Sequence, residues 1–231
     1  MRIRLLTLTA VLGAALLAAG PLPARASGTP EPLSGPEAPV GADDLLAKVS
    51  SCAQVSNGRY RTDADAPATV PVCGKNGAVF WTADMDIDCD GRRTDRCNES
   101  TDPWFLPDTA FHQSDGLPLR SDTLPYVVVP GASGIWDYAA AGIRGGSVAA
   151  VVHGDQVLYA VVGDTGPRHI IGEASYAAAE HLGIDPDPAA GGTASGVTYI
   201  LFPNSRVSPI EDHEAAVALG EKLAREFIRD N

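Results

Sequence analysis

The sequence predicts a mixed, β-dominated fold: a small barrel, closed or partly closed, with helices outside it. Three observations point there. Short runs of β-branched and aromatic residues recur along the chain. Long connections separate them. Only three stretches have helical character.

Taken in order, the chain opens with a short basic MRIR, then the apolar run LLTLTAVLGAALLAAG, then a small-x-small site at Ala24-Arg25-Ala26. This pattern predicts a secretory signal peptide over residues 1–26. A membrane anchor fits less well, because the run is short for a span and meets Pro21 and Pro23 at once. Residues 27–42, SGTPEPLSGPEAPVGA, have nothing to bury and read as a Pro/Gly-rich linker. Residues 43–231 are enough for one domain with a real core.

Within that domain, DDLLAKVSSC opens as a short helix with acids in its first turn. GAVFWTADMDI, LPYVVVP and GVTYILFP read as strands. SVAAVVHGDQVLYAVVGD reads as a hairpin turning at His153-Gly154-Asp155-Gln156. EASYAAAEHLGI is Ala-rich and reads as a helix ended by Gly183 and Pro186. A last helix is expected from Ser208 as cap, Pro209 at the first helical position and Glu211 closing a capping box, running to about Ile228.

Net charge is −12. Loss of residues 1–26 would remove Arg2, Arg4 and Arg25 and no acid, giving −15. Such a surface repels nucleic acid and anionic membranes and attracts polycations. The four cysteines, Cys52, Cys73, Cys89 and Cys97, fit two disulfides in an exported chain. Three pairings are open, and sequence order favours Cys52–Cys73 and Cys89–Cys97. There is no Cys-x-x-Cys and no His-Glu-x-x-His, so no zinc site is expected. Nor is there a Gly-x-Ser-x-Gly to support a serine hydrolase.

Two acidic features stand out. ADMDIDCDGRRTD puts Asp84, Asp86, Asp88 and Asp90 on alternate residues, hence on one strand face. At spacings of roughly 6–7 Å each neighbouring pair repels by about 2–3 kcal/mol. Arg92, Arg93 and Arg96, a metal ion or a cationic ligand would offset that. Asp86-x-Asp88-x-Asp90-Gly91 matches half of an EF-hand loop, but Cys97 stands where the bidentate Glu belongs. A disulfide-braced turn is an equally bland account.

The second feature is YAVVGDTGPRHIIGEASY. Asp164 ends an apolar run, Gly166-Pro167 forces a turn, and Gly172 permits another before Glu173. A chain that leaves and returns can place both carboxyls across one cleft, the pair that glycoside hydrolysis needs at about 6.5–9.5 Å for inversion or about 5–5.5 Å for retention. Read alone, Glu173 is also an ordinary first-turn helix acid and Asp164 an ordinary turn residue. Arg168 and His169, between them, are candidate substrate contacts, or a charge partner for Asp164. His112, His153, His181 and His213 have no motif around them and read as surface or structural residues.

FWTADMDIDCDGRRTDRCN together with YAVVGDTGPRHIIGEAS resembles the chitosanases of glycoside hydrolase family 75. The similarity runs over roughly residues 45 to 228. It implies a β-barrel of the double-psi kind and a secreted endo-β-1,4-glucosaminidase that inverts configuration. Asp164 and Glu173 match the family's catalytic pair. Under this resemblance Glu173 is the general acid and Asp164 the base, although the reverse assignment stays open. Asp84, Asp86 and Asp88 become subsites for the amines of chitosan, and Trp81, Trp104 and Trp136 become candidate stacking faces. No cofactor is implied, and a monomer acting on chitosan is expected. The competing expectation is a non-catalytic secreted module that binds calcium or polysaccharide through the acidic loop.

Overall fold

The computed structural model describes residues 38–231. The expected signal peptide and residues 27–37 of the expected linker lie outside the described residues. The folded unit begins at Ala38, where the backbone already engages the last helix: Val40 N donates to Glu221 at 3.0 Å.

The elements are α1 (Ala42–Lys48), β1 (Ala53–Gln54), β2 (Cys73–Lys75), β3 (Ala78–Asp88), β4 (Tyr126–Pro130), β5 (Val148–His153), β6 (Gln156–Gly166), β7 (Glu173–Ser175), α2 (Tyr176–His181), β8 (Thr193–Leu201) and α3 (His213–Asp230). The sheet order is β1-β2-β3-β7-β4-β6-β5-β8, and β8 pairs back onto β3. Six strands therefore close into a barrel, as expected, with β1 and β2 extending one edge of β3. The β3–β7 and β4–β6 pairs are parallel and the rest antiparallel.

The long β3 carries the closure. One edge takes β2 along Ala78–Phe80 and β7 along Asp86–Asp88; the other takes β8 from Val79 to Met85, with a register shift between Ala83 and Met85. The predicted hairpin forms as β5 and β6, turning at Gly154 with φ +59. Both of its strands read as apolar runs rather than alternations because both sheet faces are covered. Alternate residues fill two clusters. Val79, Trp81, Ala83 and Met85 pack with α2; Ala78 and Phe80 pack with α1 and α3.

The two favoured disulfides are present, Cys52–Cys73 and Cys89–Cys97. The second closes the loop after β3, where Cys89, Cys97 and Phe105 form a small buried cluster of their own. That cluster fixes the loop that will wall the candidate site.

Two element boundaries differ from expectation. The Ala-rich helix begins at Tyr176, not at Glu173, because Ser175 ends a strand and caps the helix at once. Its hydroxyl donates to Leu124 O at 2.9 Å and accepts from Tyr126 N and from Ala178 N. The last helix begins at His213, not near Ser208. Asp212 is its cap, accepting from Ala215 N at 2.9 Å, while Glu211 is engaged by Ser114 instead of closing a capping box. No helix among the described residues is long and apolar enough to cross a membrane.

Candidate active site

The site follows from strand register. Glu173 on β7 lies opposite Asp86 of β3 on one side and opposite Val128 of β4 on the other. Val128 is also opposite Asp164 of β6, after a register shift between Val127 and Val128. Residues directly opposed in a sheet present side chains to the same face. Asp86, Glu173, Val128 and Asp164 thus form one row across four strands. Asp88, two residues along β3 from Asp86, shares their face.

The row floors two adjoining hollows of about 370 and 360 Å³ that share Asp88, Asp90 and Glu173. One is walled by Asp102 and Trp104, from the segment that follows the Cys89–Cys97 loop, and by the turn at 187–191. The other is walled by Leu106, Val128, Asp164 and the turn at 165–167. Glu173 stands between them, its Oε2 close against Gly166: a Cβ there would lie 2.9 Å away.

The carboxyls differ in their surroundings. Asp164 is buried, which pushes its pKa up, but its Oδ1 accepts from Ala110 N at 2.8 Å and Thr165 N at 2.6 Å, and both donors favour the anion. Among the described residues the Glu173 carboxyl has no such donors. Burial, then Asp86, Asp90, Asp164 and Asp102, push it up to about 8. Asp88 is raised too, by burial first and then by Glu173, Asp164 and Asp90. Burial takes Asp90 up to about 6 against the Leu106 N–H that favours its anion. Asp88, Asp90 and Asp164 offer oxygens within 4.8 Å of one another. Two full charges at that distance repel by about 3–4 kcal/mol at an effective dielectric near 20. Burial and this mutual repulsion both favour the protonated forms in the cluster.

Several sequence expectations need correcting. Asp84, Asp86 and Asp88 do share a face, opposite the packed Ala83 and Met85, but the four aspartates do not act as one group. Asp84 and Asp86 gather with Asp63; Asp88 and Asp90 gather with Asp164. That division breaks the half EF-hand reading, since Asp86 parts from Asp88 and Asp90. The arginines offset none of this charge: Arg93 pairs with Glu99, Arg96 with Glu180, and Arg92 with Asp115. Trp81 and Trp136 are buried against each other in the core, ring centroids 6.2 Å apart, so neither can stack on a ligand. Trp104 is 85% exposed. Arg168 and His169 are exposed on the turn after β6. Among the described residues Arg168 makes no ion pair, and no positive side chain of that turn acts on Asp164. Three histidines are bonded as expected of structural or surface residues: His112 to Asp108, His181 to Ala177 O and His153 to Leu182 O. The fourth, His213, keeps a buried Nδ1 without a partner.

Sequence reasoning left Asp63 and Asp102 out of the site altogether. Each lies in a loop without periodicity or motif, and only tertiary contact brings it in. Asp90 carried a signal, its place in the alternating run, and belongs beside Asp164.

Fold and cleft together define a small barrel protein whose carboxylate-lined groove suits proton transfer to and from a bound ligand. Comparison with known proteins is more specific. The family described as fungal chitosanase of glycosyl hydrolase group 75 matches residues 85–229, and the chain belongs to that family. An endo-chitosanase of Aspergillus oryzae is 34% identical over 148 residues, covering 58% of this chain and 59% of that protein. Endo-chitosanase C of Aspergillus oryzae is 32% identical over 131 residues, covering 54% of this chain and 32% of that protein. The matched stretch thus spans about three fifths of one relative and a third of the other.

Proposed function

We propose that this chain is an exported, monomeric endo-acting glycoside hydrolase that cleaves β-1,4 bonds between glucosamine units of chitosan with inversion. Family membership and the names of the Aspergillus oryzae relatives support the substrate. The observation that carries the mechanism is the placement of Asp164 and Glu173 on either side of Val128.

Two strand spacings put their backbones about 10 Å apart on one face. Side chains leaning into the cleft from that separation suit the 6.5–9.5 Å gap that admits a water, rather than the closer gap of retention. Glu173, protonated at neutral pH, gives its proton to the glycosidic oxygen as the bond to the anomeric carbon breaks. Asp164, whose anion two N–H donors favour, takes a proton from water attacking the opposite side of the sugar. Proton exchange with solvent then resets both groups.

The remaining assignments follow the cleft. Asp86, exposed, and Asp88, buried, both line the groove, so both attract ammonium groups of the polymer. Asp84 is outside the lining and contributes only through its charge. Trp104 offers a sugar-stacking face. Arg168 and His169, at the rim beyond Asp164, meet sugar hydroxyls. The net charge of −12 gathers a polycation by long-range attraction.

The direct test is release of reducing ends from soluble chitosan, followed by NMR of the first product anomer. Hydrolysis giving the α-anomer from a β-linkage supports the whole reading. Binding of chitosan without new reducing ends would leave a non-catalytic binding module instead.

A further inference from the structure

We infer that Asp63, Asp84 and Asp86 form a binding site for a hard divalent cation of the calcium class. The three offer carboxylate oxygens within 4.8 Å of one another. Proximity of acids alone would not make a site, and one further observation points to a ligand. Asp84 is only 4% exposed, and its Oδ1 has no hydrogen-bond partner. An enclosed carboxylate oxygen of this kind needs a proton or a cation. The backbone is also shaped around it. Gly172 has φ +113, and a Cβ there would lie 1.9 Å from that same Oδ1.

The three acids are brought together by the barrel and not by a local loop. Asp84 and Asp86 come from one face of β3. Asp63 arrives because the chain at residue 61 docks beside residues 169–171: Arg61 N donates to His169 O and Ile171 N to Arg61 O, both at 3.0 Å. Asp86 N donates to Gly172 O at 2.8 Å, tying β3 to the same turn. Among the described residues no internal cation answers the cluster. Arg61 gives its guanidinium to Ala66 O, and among the described residues no lysine or arginine pairs with Asp63, Asp84 or Asp86. The donors are all carboxylate oxygens, with no histidine or cysteine among them, which selects calcium-like ions over zinc or copper. Two of the acids are exposed, leaving room for water ligands. A bound ion would clamp the 61–66 loop to β3 and the 169–172 turn.

The inference does not depend on hydrolysis. Its test is calcium titration of chelator-stripped full-length protein by calorimetry, with melting temperature compared in EDTA and in excess Ca²⁺ or Mg²⁺. The expected result is one ion per chain and a higher melting temperature with calcium. Asp63→Asn, an exposed change, should weaken binding at least about tenfold. Asp84→Asn should abolish the calcium response while raising the melting temperature in EDTA, because it removes the enclosed charge. If that variant does not fold, Asp63→Asn decides alone. Absence of heat and of any shift up to about 10 mM of either ion, above the range of extracellular calcium modules, overturns the site. So does undiminished binding by Asp63→Asn, which would move the ion to Asp88, Asp90 and Asp164. A chitosan oligomer that raises the melting temperature when calcium does not would likewise overturn it and leave an amine subsite.

Discussion

Asp164 and Glu173 are both registered against Val128, one from each of the two strands that flank it. Nine residues apart in sequence, they could stand about 30 Å apart if extended. The turn at 165–172 instead carries the chain over β4 and returns it as β7 on the far side. The glycine-flanked segment is therefore a device for placing two acids on one row of the sheet with a strand between them. Their surroundings differ because their donors differ: two backbone N–H groups favour the Asp164 anion against the burial that raises its pKa, while Glu173 is surrounded by other acids.

From this arrangement, Glu173→Gln and Asp164→Asn should each lower kcat on soluble chitosan by at least about a hundredfold, the lower range for positioned acid and base groups. Neither should unfold the protein. Replacing Glu173 removes a group that burial disfavours, and replacing Asp164 leaves an amide oxygen for Ala110 N and Thr165 N. Reducing-end release and circular dichroism on both variants check this. Turnover near wild type in either one removes that residue from the mechanism.

Stability should fall as pH rises. Folding raises the pKa of Glu173 from 4.5 to about 8 and that of Asp90 from 3.8 to about 6. Between each pair of values the native chain binds more protons than the unfolded one, so the stabilisation present below the unfolded pKa is lost as pH climbs through the folded one. Melting temperature measured in chelator should drop by on the order of 5 °C between about pH 5 and pH 8. Glu173→Gln should flatten that slope. A melting temperature that climbs steadily across the window would mean the cluster is not held protonated.

The barrel was legible because its strands have strong local signatures. The runs at 77–87, 124–130 and 196–203 and the hairpin at 147–164 all form strands close to where composition and turn residues place them. The three shortest strands were not legible. β1, β2 and β7 are two or three residues long and exist only because a neighbour's backbone is in place. β7 shows the cost of that limit. Glu173-Ala174-Ser175 has helical composition and an Ala-rich continuation, yet pairing with both β3 and β4 holds it extended.

The site was legible as residues but not as groupings. Alternation along β3 correctly put Asp84, Asp86 and Asp88 on one face. It could not reveal that Asp63 joins the first two and Asp164 the last, since both reach the cluster through non-local strand and loop contacts. The tryptophans make the same point. All three sit near strand or loop signals in the sequence, and only burial separates the core residues Trp81 and Trp136 from Trp104 at the cleft.

Trp104 should contribute binding without chemistry. It is 85% exposed on the segment that follows the Cys89–Cys97 loop, and a stacked ring adds about 0.5–1.5 kcal/mol beyond its area. Trp104→Ala should therefore raise KM for chitosan about three- to tenfold, leaving kcat and melting temperature close to wild type. Trp104→Phe should recover most of the loss. A fall in kcat with unchanged KM would mean that the loop positions catalytic groups and does not grip sugar.

Gly166 offers a test of how closely the Glu173 carboxyl must be placed. Its φ is not in the left-handed region, so alanine meets no backbone penalty there. A methyl group at that point would lie 2.9 Å from Glu173 Oε2 and 3.2 Å from Val128 Cγ1. The carboxyl is the mobile member of those contacts and should swing away from the Asp164 side of the cleft. A displacement near 1 Å at a reacting group costs on the order of a hundredfold in rate. Gly166→Ala should then lose kcat by about ten- to a hundredfold with KM and melting temperature little changed. Gly134→Ala, where an added Cβ meets nothing within 4 Å, serves as the control. Full activity in Gly166→Ala would show that the position of Glu173 beside this turn is not what sets the rate.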